Sequence, residues 1–285
     1  KMLQSDNGAS NTSSWIEGAI KKIPTETQRL VESELKQVEK TGVRVFHYFS
    51  SGYPPQLRMI DDPPLLIFVK SQREIKWPPF CAEKSPWRIG PAVGLVGARD
   101  CSDYGIDTSR KLGLDIVLAG GTVISGLASG VDQGAHEGAL EGASRLQMKR
   151  SCISCPTIAV VGTGVNLTYP RSNYALAELL LDRGGMILSE FGLSAEPRKH
   201  HFPQRNRLIS ALSDVVVVVE ARKRSGALIT ARLALEQGKE VMAIPGRINA
   251  PFSEGTNALI KQGAEPCLGM GDLLNELPVN RIASS

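Results

Sequence analysis

A chain of 285 residues with 42% hydrophobic content is long enough to bury a full α/β core and a small appendage without disulfide staples. Its 33 basic and 29 acidic residues leave a formal charge of +4, so an acidic polymer as partner does not follow from the total and depends on where the cations sit. The five cysteines (Cys81, Cys101, Cys152, Cys155, Cys267) are odd in number and scattered, which argues against a disulfide framework. No apolar run reaches the roughly 18 residues of a membrane span, no apolar signal segment precedes the first charged helix, and a cytoplasmic protein is expected.

In chain order, residues 1–24 are rich in Ser, Asn and Gly and read as a disordered tail or linker. Leu30, Val31, Leu35 and Val38 on a charged background predict one amphipathic helix from Pro24 to about Lys40. Strand-like pieces follow at Val43–Tyr48 and Leu65–Lys70, separated by the turn formers Ser51-Gly52-Tyr53-Pro54-Pro55 and Asp61-Asp62-Pro63-Pro64. The Pro-rich stretch Trp77–Pro91 reads as a surface connection. Residues 25–91 thus make a short N-terminal helix and strand extension, residues 92–278 the main domain, and 279–285 a tail.

From Ala92 onward, short apolar runs alternate with helix-like stretches. The runs are Val93–Val96, Thr122–Ser125, Thr157–Val161, Met186–Ser189, Val215–Val219 and Glu240–Ile244. Near-continuous Val and Ile runs fit strands covered on both faces, and the stretches between them are long enough for crossover helices. A Rossmann-like, doubly wound, mostly parallel sheet follows. Arg145–Cys155 breaks the rhythm with mixed polar and basic residues and reads as a loop insertion.

In such a sheet, ligands bind beyond the carboxyl ends of the strands, where helix N-termini point their unpaired amides. The loops there carry Gly97-Ala98-Arg99, Ser125-Gly126, Gly162-Thr163-Gly164, the run Arg198–Arg207, Arg222-Lys223-Arg224-Ser225-Gly226, and Pro245-Gly246-Arg247. The modest total charge is therefore concentrated where a phosphate-bearing ligand would sit. Glycine at strand-to-helix turns is also demanded by backbone geometry alone, but several such loops together favour binding. Arg99, in the first turn, is placed either to reinforce backbone donors on a phosphate or to pair with Asp100 or Asp103. Lys199 beside His200, His201 and Phe202 combines charge with a flat ring, which suits a strand gripped by phosphates and stacked through its bases; Phe202 could equally plug the core. Arg205 and Arg207 open a predicted helix, where cations are mildly unfavourable, so they call for a bound anion or a carboxylate partner, with Glu190 and Glu220 the candidates.

Other chemistries lose ground. The first turn is not G-x-G-x-x-G, the second strand ends in Ser125-Gly126 rather than an acid for a ribose, and no G-x-x-x-x-G-K-[ST] occurs. Neither a nucleotide cofactor nor a bound metal is expected. Cys152 and Cys155 have the spacing of a zinc or redox pair but lack a second pair. His136 faces no recognisable nucleophile and reads as a helix residue packing locally. Glu190 and Glu220 could support an N-glycosidic cleavage, the best enzyme alternative, or could simply neutralise Arg205, Arg207 or Arg222.

Taken together, the motifs resemble the DNA-processing protein A family, also called Smf. The resemblance runs from about Tyr53-Pro54-Pro55-Gln56-Leu57 to Gly263-Ala264. It is carried by Val96-Gly97-Ala98-Arg99 with Tyr104-Gly105, Ser125-Gly126-Leu127-Ala128 with Gly130-Val131-Asp132 and Ala135-His136, and Tyr169-Pro170. Later pieces are Leu188-Ser189-Glu190, Phe202-Pro203-Gln204-Arg205-Asn206-Arg207-Leu208-Ile209, Ser225–Ala231 and Ile244-Pro245-Gly246. The resemblance implies a non-catalytic, dimeric protein that binds single-stranded DNA in a basic pocket and helps load the RecA recombinase during natural transformation, with Arg99 and Lys199 matching family DNA contacts. It also implies dimer and RecA contacts on the late helices, roughly between Ile229 and Ile260. The chain departs from the family pattern in having Ala98 where Ser is usual, Ser129 where Arg is common, and the 145–155 insertion, whose Lys149 and Arg150 would restore some charge. No C-terminal winged-helix module is expected after Leu277-Pro278, and the N-terminal helix is at most a remnant of a helical domain.

Overall fold

The computed structural model describes residues 24–72, 91–148 and 155–277. The expected tails at 1–24, except Pro24, and at 279–285, most of the connection Trp77–Pro91, and residues 149–154 of the insertion, including Cys152, lie outside them. The N-terminal unit, up to Gly42, contains the helix α1 (Thr25–Thr41), which buries none of its residues and ends on Gly42 in the left-handed conformation, φ 67°.

The second unit, from Val43, is built on one nine-stranded sheet. Its elements in chain order are β1 (Arg44–His47), α2 (Pro55–Arg58), β2 (Leu66–Lys70), β3 (Ala92–Val96), α3 (Asp103–Leu118), β4 (Thr122–Ser125), α4 (Val131–Met148) and β5 (Thr157–Val160). They continue with α5 (Tyr174–Asp182), β6 (Met186–Ser189), α6 (His201–Leu212), β7 (Val215–Val218), α7 (Gly226–Glu236), β8 (Glu240–Ala243), α8 (Glu254–Lys261), β9 (Glu265–Pro266) and α9 (Met270–Glu276). The strand order is β1-β2-β6-β5-β4-β3-β7-β8-β9. All pairings from β6 to β9 are parallel, whereas β2 runs antiparallel to both β1 and β6. The two strands that the sequence placed in an N-terminal extension therefore form one margin of the main sheet. At the insertion, α4 continues through Met148, so helix occupies the part that read as loop there.

The residues that make each strand also explain why it is central. The run Val215–Val218 is buried at every position, as are Ala92–Val96 and Met186–Ser189, because helices cover both faces. On one face Val96, Ile124, Ile158 and Val216 pack with Leu208 and Leu212 of α6 and Ala227 and Ala231 of α7. On the other, Val93, Leu95, Val123 and Val217 pack with Ile116 of α3, Ala135 and Ala139 of α4, and Leu273 of α9. Helices α3 and α4 cross closely because glycine faces backbone: a Cβ on Gly113 would meet the Ala135 carbonyl, and one on Gly138 the Arg110 carbonyl.

Candidate functional site

From β3 the chain steps outward through β4, β5 and β6, then returns to lay β7 on the other side of β3. This reversal splays apart the loops leaving β3 and β7, the place where open α/β sheets hold ligands. An open cavity of about 580 Å³ lies there, between the loop after β3, the start of α6 and the start of α7.

Exposed cations stand around it. Arg99 leaves the turn after β3 and holds its guanidinium 4.8 Å from the centroid of the Phe202 ring, within cation–π range. Lys199, just before α6, is exposed on the cavity wall, as is Arg224 before α7. Ser225 and Gly226 bring the N-terminus of α7 to the cavity; the Ser225 side chain makes no cap and its buried Oγ has no hydrogen-bond partner. The first amides of α7 are thus available to an anion, the arrangement that binds phosphate elsewhere. Phe202 is half-buried. A Cβ on Gly162 would lie 3.1 Å from its ring, Tyr169 sits 5.7 Å away on another side, and its remaining surface looks into the cavity. The ring is therefore neither a core plug nor a free platform, but a wall fixed by its neighbours.

Under this surface lies a buried charged layer that the sequence reading misplaced. Arg205 is only 4% exposed and donates from Nη1 to the carbonyls of Gly126 (2.8 Å) and Val160, tying together the ends of β4 and β5. Its charge partner is Asp132, which lies within contact of the same glycine: a Cβ on Gly126 would fall 2.6 Å from the Asp132 carboxylate and 2.7 Å from the Arg205 guanidinium. Asp132 also accepts the Ala128 N–H at 3.2 Å. Burial pulls the Arg205 guanidinium down to about 10, opposed by Asp132 and aided by Arg99, while the same burial pushes the Asp132 carboxyl upward against the pull of Arg205. Arg205 thus forms the cavity floor as a clamp on the loops. His136 is wholly buried, its Nδ1 2.7 Å from Thr157 Oγ1, and burial followed by the Arg205 charge holds it down to about 3, so it is neutral.

Arg207 does not reach the cavity. It forms a two-pronged pair with Glu190 at 2.6 and 2.7 Å and bonds the Asp62 carbonyl at 3.0 Å, joining α6 to the strand end of β6 and to the loop before β2. Glu220 serves another purpose: it accepts the Ser102 N–H at 2.8 Å and the Ser102 hydroxyl at 2.6 Å, placing a carboxylate at the N-terminus of α3. Of the neutralising roles expected for these acids, Glu190 fills one and Glu220 does not. With both carboxylates engaged in this way, the N-glycosidic alternative loses its two free acids.

Several predicted loop residues support the site from behind. Ser125 is buried and donates to the Leu95 carbonyl at 2.6 Å. Gly164 gives its amide to Ala195 and lies against the Leu193 carbonyl, and Gly162 faces the Phe202 ring and accepts a contact from His201 Nδ1 at 3.1 Å. Gly97 lines the cavity, and its missing Cβ leaves room for Val131, whose side chain would stand 2.5 Å away. Missed by the sequence reading were Tyr169, Asn206 and Thr230, all on the cavity wall, and the individual roles of Arg222 and Arg224. Arg222 pairs with Asp100 at 3.1 Å and lies 4.3 Å over the Phe252 ring. The basic run 222–224 was a usable signal. Tyr169 carried none beyond its place in a motif.

Residues 44–278 match the profile of the family described as DNA recombination-mediator protein A. The chain belongs to this family. Curated family members of similar sequence include Protein Smf of Escherichia coli, 40% identical over 83% of this chain and 57% of the relative. Another is DNA processing protein DprA of Bacillus subtilis, 35% identical over 87% of this chain and 76% of that protein. The chain therefore spans little more than half of the Escherichia coli relative. Among solved structures, DNA processing protein A of Streptococcus pneumoniae superposes with a TM-score of 0.70 at 34% identity, covering 85% of this chain and 78% of that one. The Helicobacter pylori protein, solved in a study of its single-stranded DNA binding mode, superposes with a TM-score of 0.66 at 27% identity, covering 82% and 94%. Ala98 and Ser129, where the resemblance led to an expectation of Ser and Arg, sit beside Arg99 and Gly130, where the loops after β3 and β4 meet: Gly130, at φ 78°, lies so close to the carbonyls of Ala98 and Arg99 that a Cβ there would clash with them. No described helix is long and apolar enough to cross a membrane.

Proposed function

We propose that this chain binds single-stranded DNA in the cavity between β3, α6 and α7, and that it acts in the cytoplasm as a recombination mediator, holding incoming strands and helping load RecA. It does so as a homodimer and without catalysing a reaction. The observation that carries the reading is Arg99: an exposed cation on the switch-point loop, held against the Phe202 ring, facing the bare N-terminus of α7 in a member of this family. Phosphates sit on the α7 amides and on Arg99, Lys199 and Arg224, while Phe202 offers ring surface to a base. The Helicobacter pylori relative's single-stranded DNA binding supports the choice of ligand.

The test is a salt titration of oligothymidine binding. Wild-type affinity falls steeply as salt rises, and Arg99→Ala or Lys199→Ala each weakens binding and lowers the log–log slope by about 0.7, the value for one lost phosphate contact on a single strand. Unchanged affinity and slope in both variants would remove the assignment. A non-catalytic protein releases no free base from nucleoside monophosphates over the same range of conditions.

A further inference from the structure

The Tyr169-Pro170 motif takes no part in the phosphate cradle, yet it forms the rim of the cavity. Tyr169 is 44% exposed, with its ring 5.7 Å from that of Phe202 and tilted by 42°. Five residues further along the chain, at the first turn of α5, Tyr174 is 60% exposed, and Arg171, between the two in sequence, is exposed as well. The support under these side chains is fixed. Asn173, buried, donates from Nδ2 to the carbonyls of Leu127 and Ala128, both at 3.1 Å, and Thr163 Oγ1 donates to the Leu167 carbonyl at 3.0 Å. The segment is thereby pinned to the loop after β4, the same loop that Gly130 brings onto the Arg99 backbone. Two exposed rings on one short pinned segment, one of them at the cavity rim beside Phe202 and an exposed arginine between them in sequence, offer what a single strand requires: faces for bases and charge for the phosphate linking them.

We infer that Tyr169, Arg171 and Tyr174 form a second, stacking subsite for single-stranded DNA, over which the strand passes as it leaves the cavity beside Phe202. This rests on the function proposed above. Bases stack on the two tyrosines without regard to sequence, and Arg171 neutralises the phosphate between them. The fixed support lowers the ordering cost of engagement.

Fluorescence anisotropy with oligothymidines of about six and about twenty nucleotides separates the subsite from the cavity. Tyr174→Ala weakens binding of the longer oligonucleotide about tenfold and leaves the shorter one unchanged, while Tyr174→Phe, which keeps the ring, binds both as wild type does. Arg171→Gln, at an exposed position, repeats the length-selective loss. With abasic linkers replacing the bases of one terminal half or the other, one of the two long oligonucleotides falls to the affinity seen with Tyr174→Ala. Wild-type binding of the long strand by both Tyr174→Ala and Arg171→Gln would overturn the subsite, as would an equal loss on both lengths in Arg171→Gln. Failure of the underlying reading has a different signature: neither length binds wild type, or Arg99→Ala binds the short one normally, and the subsite falls with it.

Discussion

At the scale of single residues, the arginines of this protein divide by what surrounds them rather than by where they fall in a motif. Arg99 keeps its charge at the surface, whereas Arg207, side chain 11% exposed, spends its charge on Glu190, which is itself 8% exposed. Removing one member of a buried pair strands the other. Arg207→Met is therefore expected to lower the unfolding free energy by about 3–5 kcal/mol in urea titrations, with Arg207→Met/Glu190→Met recovering most of it. The salt slope of DNA binding stays at the wild-type value in the double variant, because Arg207 makes no phosphate contact. His136 gives a pH prediction. Its folded-state value of about 3 lies below the 6.5 of the unfolded chain, so on acidification the unfolded state takes up the proton first. Stability is lost as pH falls below 6.5, by about 1–2 kcal/mol from this residue on reaching about pH 5. His136→Asn flattens that part of the stability profile, and chemical unfolding at the two pH values checks it.

At the scale of elements, α3 and α4 set where the loops of the site stand, because each helix begins on one of them. Their approach depends on the absence of side chains at Gly113 and Gly138, whose added Cβ atoms would run into helix backbone rather than into a movable side chain. Gly138→Ala is expected to cost about 1–3 kcal/mol in thermal or urea unfolding, more than its better helix propensity returns. The same elements show how much was legible in advance. The strands from β3 to β8 were readable because both their faces are buried, which leaves Val and Ile runs such as Val215–Val218 in the sequence. The antiparallel pairing of β2 with β6 was not, because it joins Phe68 to Ser189 across more than a hundred residues and leaves no local pattern. Arg99 and Lys199 were legible as cations in the right loops. Arg205 was not legible as a buried clamp, since its partners are main-chain carbonyls of Gly126 and Val160, which every sequence possesses. Glu220 misled for a related reason: its partner is the amide and hydroxyl of Ser102, not a distant arginine.

At the scale of the whole molecule, the decisive feature is the reversal of strand order between β3 and β7. It opens the carboxyl edge, and the cations needed to use that opening come from separate stretches of chain, Arg99 from the loop after β3, Lys199 from the approach to α6 and Arg224 from the approach to α7. This explains how a formal charge of only +4 is compatible with a polyanionic ligand: the charge is local. An open cavity with exposed cations and a ring wall fits a flexible strand whose bases are free to turn toward Phe202, and gives a duplex, whose bases face inward, only phosphate contacts. The most direct measurement is anisotropy binding of one labelled oligonucleotide, alone and annealed to its complement, to wild type and Arg99→Ala. Wild type is expected to bind the single strand more tightly, with a marked loss of that affinity in Arg99→Ala; equal affinity for both forms, or a single-strand affinity indifferent to Arg99, would overturn the assignment of the cavity to single-stranded DNA.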